Sequence, residues 1–414
     1  MSLADPLPII PFTRPCTGSV TLPGSKSITN RALILGALAD GPVTLHGALF
    51  SRDTRIMVAA LRELGFTVET NEQALTIRIE GRNGEIPKAE ASIHVGNAGT
   101  AARFLTAFVC LRPGGVYHFD GDEAMRARPI GALLDALESQ GAKADSRSFP
   151  FTLRTTGLPG GTIEIDPSES SQMLSALLMI APQAKQPLDV RLKNAAGSKP
   201  FVEMTRRVME QFAAKPADYF IEGDASAGSY FLALPLVTGG SVTISNYNGT
   251  LQGDRKFLEV LRDVGLKADA SMFSATGQRH AVDRNFREFS DTFLTLAAIA
   301  PLLDGPTKIT GIAHTRKQET DRVAGMAREL TKLGQRVIET EDSLEIHPQP
   351  LKTGQVIETY HDHRFAMSFG VLGCHDLLGN GQPWLSIKDP ACCSKTFPHF
   401  FDVLESLRQA SLRS

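Results

Sequence analysis

Six times along the 414-residue chain, a polar or glycine-rich opening leads into an apolar run rich in small residues. The runs are "SITNRALILGALADG" from Ser27, "GTAARFLTAFVCLRPGG" from Gly99, "SSQMLSALLMIAPQA" from Ser170, "SAGSYFLALPLVTGG" from Ser226, "SDTFLTLAAIAPLLDG" from Ser290 and "DHRFAMSFGVLGCHDLLG" from Asp362. Ser, Thr and Asp are favoured N-caps and several runs stop at Gly, so all six are expected to be helices with marked ends. Apolar nearly all round, they must be buried. Six amphipathic segments, starting at Ile56, Gly131, Glu203, Lys256, Arg322 and His399, alternate with them and carry charge on one side, as surface-covering helices do. Short β-like runs such as "LTIRIE", "GTIEID", "LDVRLK" and "LEIHP" fill the gaps. An α/β unit thus recurs about six times, at roughly 50 to 75 residues per repeat.

The chain is too long for one ordinary core, and two domains are expected. Turn residues at Gly239–Gly240 follow the third repeat, which predicts one domain over 24–239 and another over 240–414, completed by an N-terminal strand from 1–23. Lys and Arg total 43 against 45 Asp and Glu, a net charge of −2, so bulk charge favours neither nucleic acid nor an anionic membrane. "MSLADPLPIIPFTRP" lacks a charged segment followed by an apolar one, and no run reaches about 18 apolar residues. Five scattered cysteines without a CxxC argue against a disulfide framework or a zinc site. A cytoplasmic chain that binds neither nucleic acid nor membrane is expected.

Charge and hydrogen-bonding groups gather where the apolar helices begin. Lys26, Ser27 and Arg31 open the first; Asn97, Gly99, Thr100 and Arg103 the second; Ser170, Ser171 and Gln172 the third; Asp291 the fifth; Asp362, His363 and Arg364 the sixth. A helix N-terminus repels cations but offers free N–H donors, so cations there make sense if an anion arrives. Arg128, Glu319, Arg322 and Lys395 lie in neighbouring loops and extend the cluster to seven cations, which suggests two anionic groups read by arginine. The bland alternative for each cation alone is a solvated or salt-bridged surface charge.

Other chemistries find less support. "GSKS" is no P-loop, because Ser19 stands where the first glycine of GxxxxGK[ST] would be, and "GNAGTA" lacks GxGxxG spacing. His361 and His363 have no third ligand at a metal-site spacing, and Cys392–Cys393 read as packing residues. No GxSxG or Cys/His signature supports acyl transfer.

Nine motifs in order, "LPGSKSITNRA", "GNAGTAARFLTA", "RARPIG", "ESSQMLSALLM", "GSKPF", "EGDASAGSYFLA", "ETDR", "TYHDHRFAM" and "DPACCSKTFP", make the chain resemble the 5-enolpyruvylshikimate-3-phosphate synthase family. The resemblance implies an enolpyruvyl transferase fold: two domains of three βαβαββ-type repeats each, an inside-out α/β barrel arrangement with the active site in the interdomain cleft. It implies phosphoenolpyruvate held by Lys26, Asn97, Gly99, Arg128, Gln172, Arg322, Arg364 and Lys395. Shikimate 3-phosphate falls to Ser27, Arg31, Ser170, Ser171, Gln172, Ser198, Asp291 and Gln318. No metal or organic cofactor is implied, and a monomer suffices.

The implied reaction adds the acceptor's 5-hydroxyl to C2 of phosphoenolpyruvate as C3 gains a proton, then expels phosphate and a C3 proton to give the enol ether. Asp291 is the candidate base for the hydroxyl, Glu319 with Lys395 serve C3 and the leaving phosphate, and Lys26 supplies electrostatic stabilisation. Glyphosate occupies the phosphoenolpyruvate site in this family, and Gly99 leaves room for it, although Phe104 replaces a common Pro on the same helix.

His314, Gln318 and Phe201 stand where the family usually has Asn, Lys and Tyr. Replacing a charged donor by an amide is expected to weaken acceptor recognition by about 1–3 kcal/mol. An alternative is therefore enolpyruvyl transfer to another sugar or cyclitol phosphate. The UDP-N-acetylglucosamine branch uses a loop cysteine that the Pro113 to Arg128 segment lacks. A non-catalytic binding protein would be expected to lose acid/base groups, yet Lys26, Asp291, Glu319, Arg364 and Lys395 are all present.

Overall fold

The computed structural model describes residues 3–166, 170–193, 199–214, 217–249 and 251–413. The chain forms two compact units, 24–222 and 1–23 with 223–414. The crossings lie at Pro23–Gly24 and at Glu222–Gly223, the second ahead of the Gly239–Gly240 turn. The reason is the helix Ala225–Thr238, whose apolar residues bury in the second unit's core beside Val242, Phe293 and Phe369. Gly239–Gly240 is the turn after that helix, where Gly239 adopts φ +75° and donates its N–H to the Pro235 carbonyl.

Four four-stranded sheets, two in each unit, share one plan among the described residues. Two parallel strands lie side by side, and an antiparallel pair continues the sheet. In 24–222 the parallel pairs are Asp218–Phe220 with Asp40–His46, and Glu90–His94 with Pro113–Asp120. In the other unit they are Ser19–Val20 with Ser241–Ile244, and Asp283–Asn285 with Thr307–Thr310. Each unit has a third, smaller sheet: Gly161–Ile165 parallel to Leu188–Leu192 in one, and Gln355–Ile357, Leu385–Ile387 and Leu7–Pro8 in the other. Strand Thr76–Arg82 alternates inward and outward residues, so its sheet has one covered face.

All six apolar runs are helical and all six amphipathic segments contain helices. In one unit Lys26–Leu38 and Ser171–Ile180 pack against Lys199–Ala213, and Gly99–Phe108 packs against both apolar helices that flank it. In the other, Ala225–Thr238, Phe293–Ile299 and His363–Gly373 pack on one another. Every residue from Ile28 to Leu38 and from His363 to Gly373 is buried, as apolarity around the whole circumference demands.

The helix ends differ from expectation in detail. Ser25 caps the first helix by accepting from Ile28 N, two residues before the expected Ser27, and Asp224 caps Ala225–Thr238 ahead of Ser226. Gly99–Phe108 has no side-chain cap. Only one of the six runs ends on a glycine cap; three tighten into a 3₁₀ turn at Val109–Leu111, Ala181–Gln183 and Ala300–Leu302. Such a turn satisfies the last carbonyls without a left-handed residue.

Candidate active site

In the unit 24–222 the expected residues assemble around the starts of three buried helices. Lys26 Nζ lies 3.5 Å from Asp53 Oδ2, and Asp53 opens the helix Arg52–Glu63 behind a Ser51/Thr54 capping box. Arg31 reaches across to the helices Ser171–Ile180 and Lys199–Ala213, donating to Ser175 Oγ at 3.2 Å and Thr205 Oγ1 at 2.7 Å. Gln172 Nε2 donates to Thr100 Oγ1 at 3.2 Å, which ties the first turns of Gly99–Phe108 and Ser171–Ile180 together. Ser170 caps the second of these, its hydroxyl accepting from Gln172 N at 3.3 Å.

Arg128 Nη1 donates to Asn97 Oδ1 at 3.3 Å. A Cβ added to Gly99 would stand 2.6 Å from Arg128 Nη2 and 2.8 Å from its Nη1, so the absent side chain is what lets the guanidinium lie over the helix start. Gln172 Oε1 is buried and, among the described residues, accepts no hydrogen bond. Ser198 lies outside the described residues.

The other unit holds a continuous ion chain. Lys395 Nζ is 3.0 Å from Glu319 Oε1, and Glu319 Oε2 accepts from Arg322 Nη2 at 2.8 Å. Arg322 Nε donates to Asp362 Oδ2 at 2.7 Å and its Nη1 to Asp291 Oδ1 at 3.0 Å. Asp291 Oδ2 accepts from Arg364 Nη2 at 2.6 Å. Arg322, 1% exposed, also donates to Gln318 Oε1. Burial opposes its charge, and Asp362, Glu319 and Asp291 more than offset this, so its pKa lies above the ordinary arginine value. Arg364 follows the same pattern, with Asp291 the foremost compensating charge.

The cations were expected to await a ligand; instead each in this chain already faces a carboxylate. Buried charge without a partner is too costly to leave uncompensated. Asp362 therefore has a role beyond marking a helix start: it caps Arg364 N at 3.0 Å and pairs with Arg322.

Of the departures, Gln318 turns onto Arg322, His314 Nε2 lies 2.8 Å from Ser290 Oγ, and the Phe201 carbonyl accepts from Arg31. His361 pairs with Asp389 Oδ2 at 2.7 Å, and among the described residues no three His, Cys, Asp or Glu gather as a metal site.

Asp254 was missed by the sequence reasoning, since nothing in "LQGDRK" marks it. It is buried, hydrogen-bonded to Ser226 Oγ, and pushed up to about 7 by burial and then by the charge of Asp291. A free Asp titrates near about 3.9. The folded state thus holds this proton more tightly than the unfolded chain. The resulting stabilisation is complete below the unfolded value and is lost as pH climbs through about 7. Asp254→Asn, which keeps an acceptor for Ser226, is expected to flatten this decline. Urea unfolding at pH 5 and pH 8 checks it: the variant gains more on wild type at pH 8 than at pH 5, and an equal difference at both would contradict the assignment.

A family model described as EPSP synthase (3-phosphoshikimate 1-carboxyvinyltransferase) matches residues 12–216 and 213–404. The 3-phosphoshikimate 1-carboxyvinyltransferase of Opitutus terrae is 54% identical over 439 residues, covering 100% of both chains. That of Nostoc punctiforme is 39% identical over 424 residues, covering 96% of this chain and 98% of its own. Among solved structures, EPSP synthase from Acinetobacter baumannii superposes with a TM-score of 0.78 at 22% identity, covering 97% of each chain. The enolpyruvyl transferase NikO from Streptomyces tendae gives 0.70 at 17% identity over 96% of each chain, so the fold is shared beyond one sequence group.

Proposed function

From the premise that this chain belongs to the EPSP synthase (3-phosphoshikimate 1-carboxyvinyltransferase) family and carries its activity, a step of the shikimate pathway, we propose which residues perform each part of the reaction. Phosphoenolpyruvate is bound by Lys26, Asn97, Gly99, Arg128, Gln172, Arg322, Arg364 and Lys395. Shikimate 3-phosphate is bound by Ser27, Arg31, Ser170, Ser171, Gln172 and Ser198, with Asp291 and Gln318. The observation that carries the chemical assignment is the ion chain Lys395–Glu319–Arg322–Asp291–Arg364, with links of 2.6 to 3.0 Å.

Asp291 is pinned by two guanidinium groups in this chain, which is a poor state for a base. The anionic groups of phosphoenolpyruvate are natural replacements for it on Arg322 and Arg364. Their arrival frees Asp291 to accept the proton of the 5-hydroxyl as that oxygen bonds to C2. Glu319, polarised by Lys395, delivers a proton to C3 and then removes one in the elimination, so the same group acts as acid and base. Lys395 and Lys26 offset the charge that builds on the departing phosphate. No step calls on a metal or organic cofactor.

Asp291→Asn tests the exchange. Its turnover is expected to fall by about a hundredfold or more, while phosphoenolpyruvate, measured by calorimetry, binds at least as tightly as to wild type because the competing carboxylate charge is gone. Affinity falling in step with turnover would contradict it. We also propose monomeric action in the cytoplasm. The five cysteines are free, which suits a reducing compartment, and light scattering at twice the 44.7 kDa chain mass would oppose the monomer.

A further inference from the structure

Arg31 differs from the cations of the ion chain because the hydrogen bonds to its guanidinium all go to neutral groups. Nε donates to Thr205 Oγ1 at 2.7 Å and Nη1 to the Ser27 carbonyl at 2.9 Å; Nη2 donates to Ser175 Oγ at 3.2 Å and the Phe201 carbonyl at 3.3 Å. The Phe104 ring centroid lies 5.3 Å from Cζ and closes one face. A guanidinium has five N–H groups, so among the described residues these four bonds leave a single N–H, on Nη1. Arg31 is 2% exposed, and burial pushes its pKa down to about 9, a charge held ready for an anion.

Thr205 and Ser175 are both wholly buried, and their oxygens are 2.9 Å apart. They come from two different helices, Lys199–Ala213 and Ser171–Ile180, and meet at the guanidinium of a third. We propose that Thr205, assisted by Ser175, is a positioning residue for acceptor recognition, locking the Arg31 fork so that one Nη1 N–H is presented to an anionic group of shikimate 3-phosphate. This rests on the reading of Arg31 as an acceptor-binding group. A fork fixed before binding loses little freedom when the ligand arrives, whereas one deprived of Thr205 Oγ1 has an unpaired Nε–H and can turn.

The experiment is steady-state kinetics of the full chain with both substrates varied. Thr205→Val is expected to raise KM for shikimate 3-phosphate about tenfold. KM for phosphoenolpyruvate and kcat stay within about twofold, and Thr205→Ser returns the acceptor KM to wild type. Ser175→Ala moves the acceptor KM in the same direction by less, and carries the test if Thr205→Val does not fold. An unchanged acceptor KM in these variants alongside a raised one in Arg31→Gln would overturn the positioning role and leave Arg31 in place. No change in Arg31→Gln either would remove the underlying reading of Arg31. Equal rises for both substrates would mark a general packing defect and also overturn the proposal.

Discussion

Arg322→Met is expected to destabilise the fold by about 3–5 kcal/mol and to abolish turnover, the largest stability effect of any single change in the ion chain. Arg322 is 1% exposed and bonds three carboxylates, of which Asp362 is 0% exposed. Methionine fills much of the volume but leaves buried Asp362 without its guanidinium partner, and leaves Asp291 and Glu319 with one cation each, Arg364 and Lys395. The loss should be greatest at neutral and alkaline pH and shrink on acidification. Once the guanidinium is gone, the folded state binds protons on these carboxylates more readily than the unfolded chain does, so stability relative to wild type recovers as pH falls. Denaturant midpoints at pH 5 and pH 8 read this directly. A variant as stable as wild type at pH 8 would show that the carboxylates find other partners.

Glu319→Gln carries the largest expected kinetic effect among the changes that leave the fold intact. Glutamine preserves the shape and its single amide oxygen can still accept from one of the two cations, Arg322 or Lys395, but it neither accepts nor delivers a proton at C3. A positioned acid/base group is worth about 10²–10⁴ in rate, so kcat should fall by that factor while both KM values change only a few-fold. A fall of less than about threefold would reduce Glu319 to a spacer between Lys395 and Arg322, which it separates by contacts of 3.0 and 2.8 Å.

The helices were legible because their signals are local. An apolar circumference, as from Ile28 to Leu38, leaves no surface to face water, and the residue fully buried there is the one the composition demands. Boundaries were less so: Gly239–Gly240 punctuates the chain as a domain crossing would, but the helix before it packs into the following unit, a choice made by tertiary contacts. The cations of the site were legible from their places at helix starts. Their carboxylate partners were not, because Arg322 and Asp362 are 40 residues apart and Arg364 and Asp291 are 73 apart. Thr205 and Ser175 carried no signal at all, since a buried hydroxyl in a helix interior reads like any small core residue. The neutral Gln318 becomes intelligible beside Arg322: its amide oxygen accepts from that guanidinium, where a lysine would add a second cation.

The assignment of C3 chemistry to Glu319 is the centre of this account, and isotope exchange tests it most directly. In heavy water, with phosphoenolpyruvate and shikimate 3-phosphate present, reversible addition makes a methyl group at C3, and its collapse leaves deuterium in the vinyl carbon of recovered phosphoenolpyruvate and of the enol ether. Wild type is predicted to exchange, and Glu319→Gln to bind both substrates yet exchange slower by about 10²-fold or more. Exchange by Glu319→Gln at the wild-type rate would place the C3 proton on another residue.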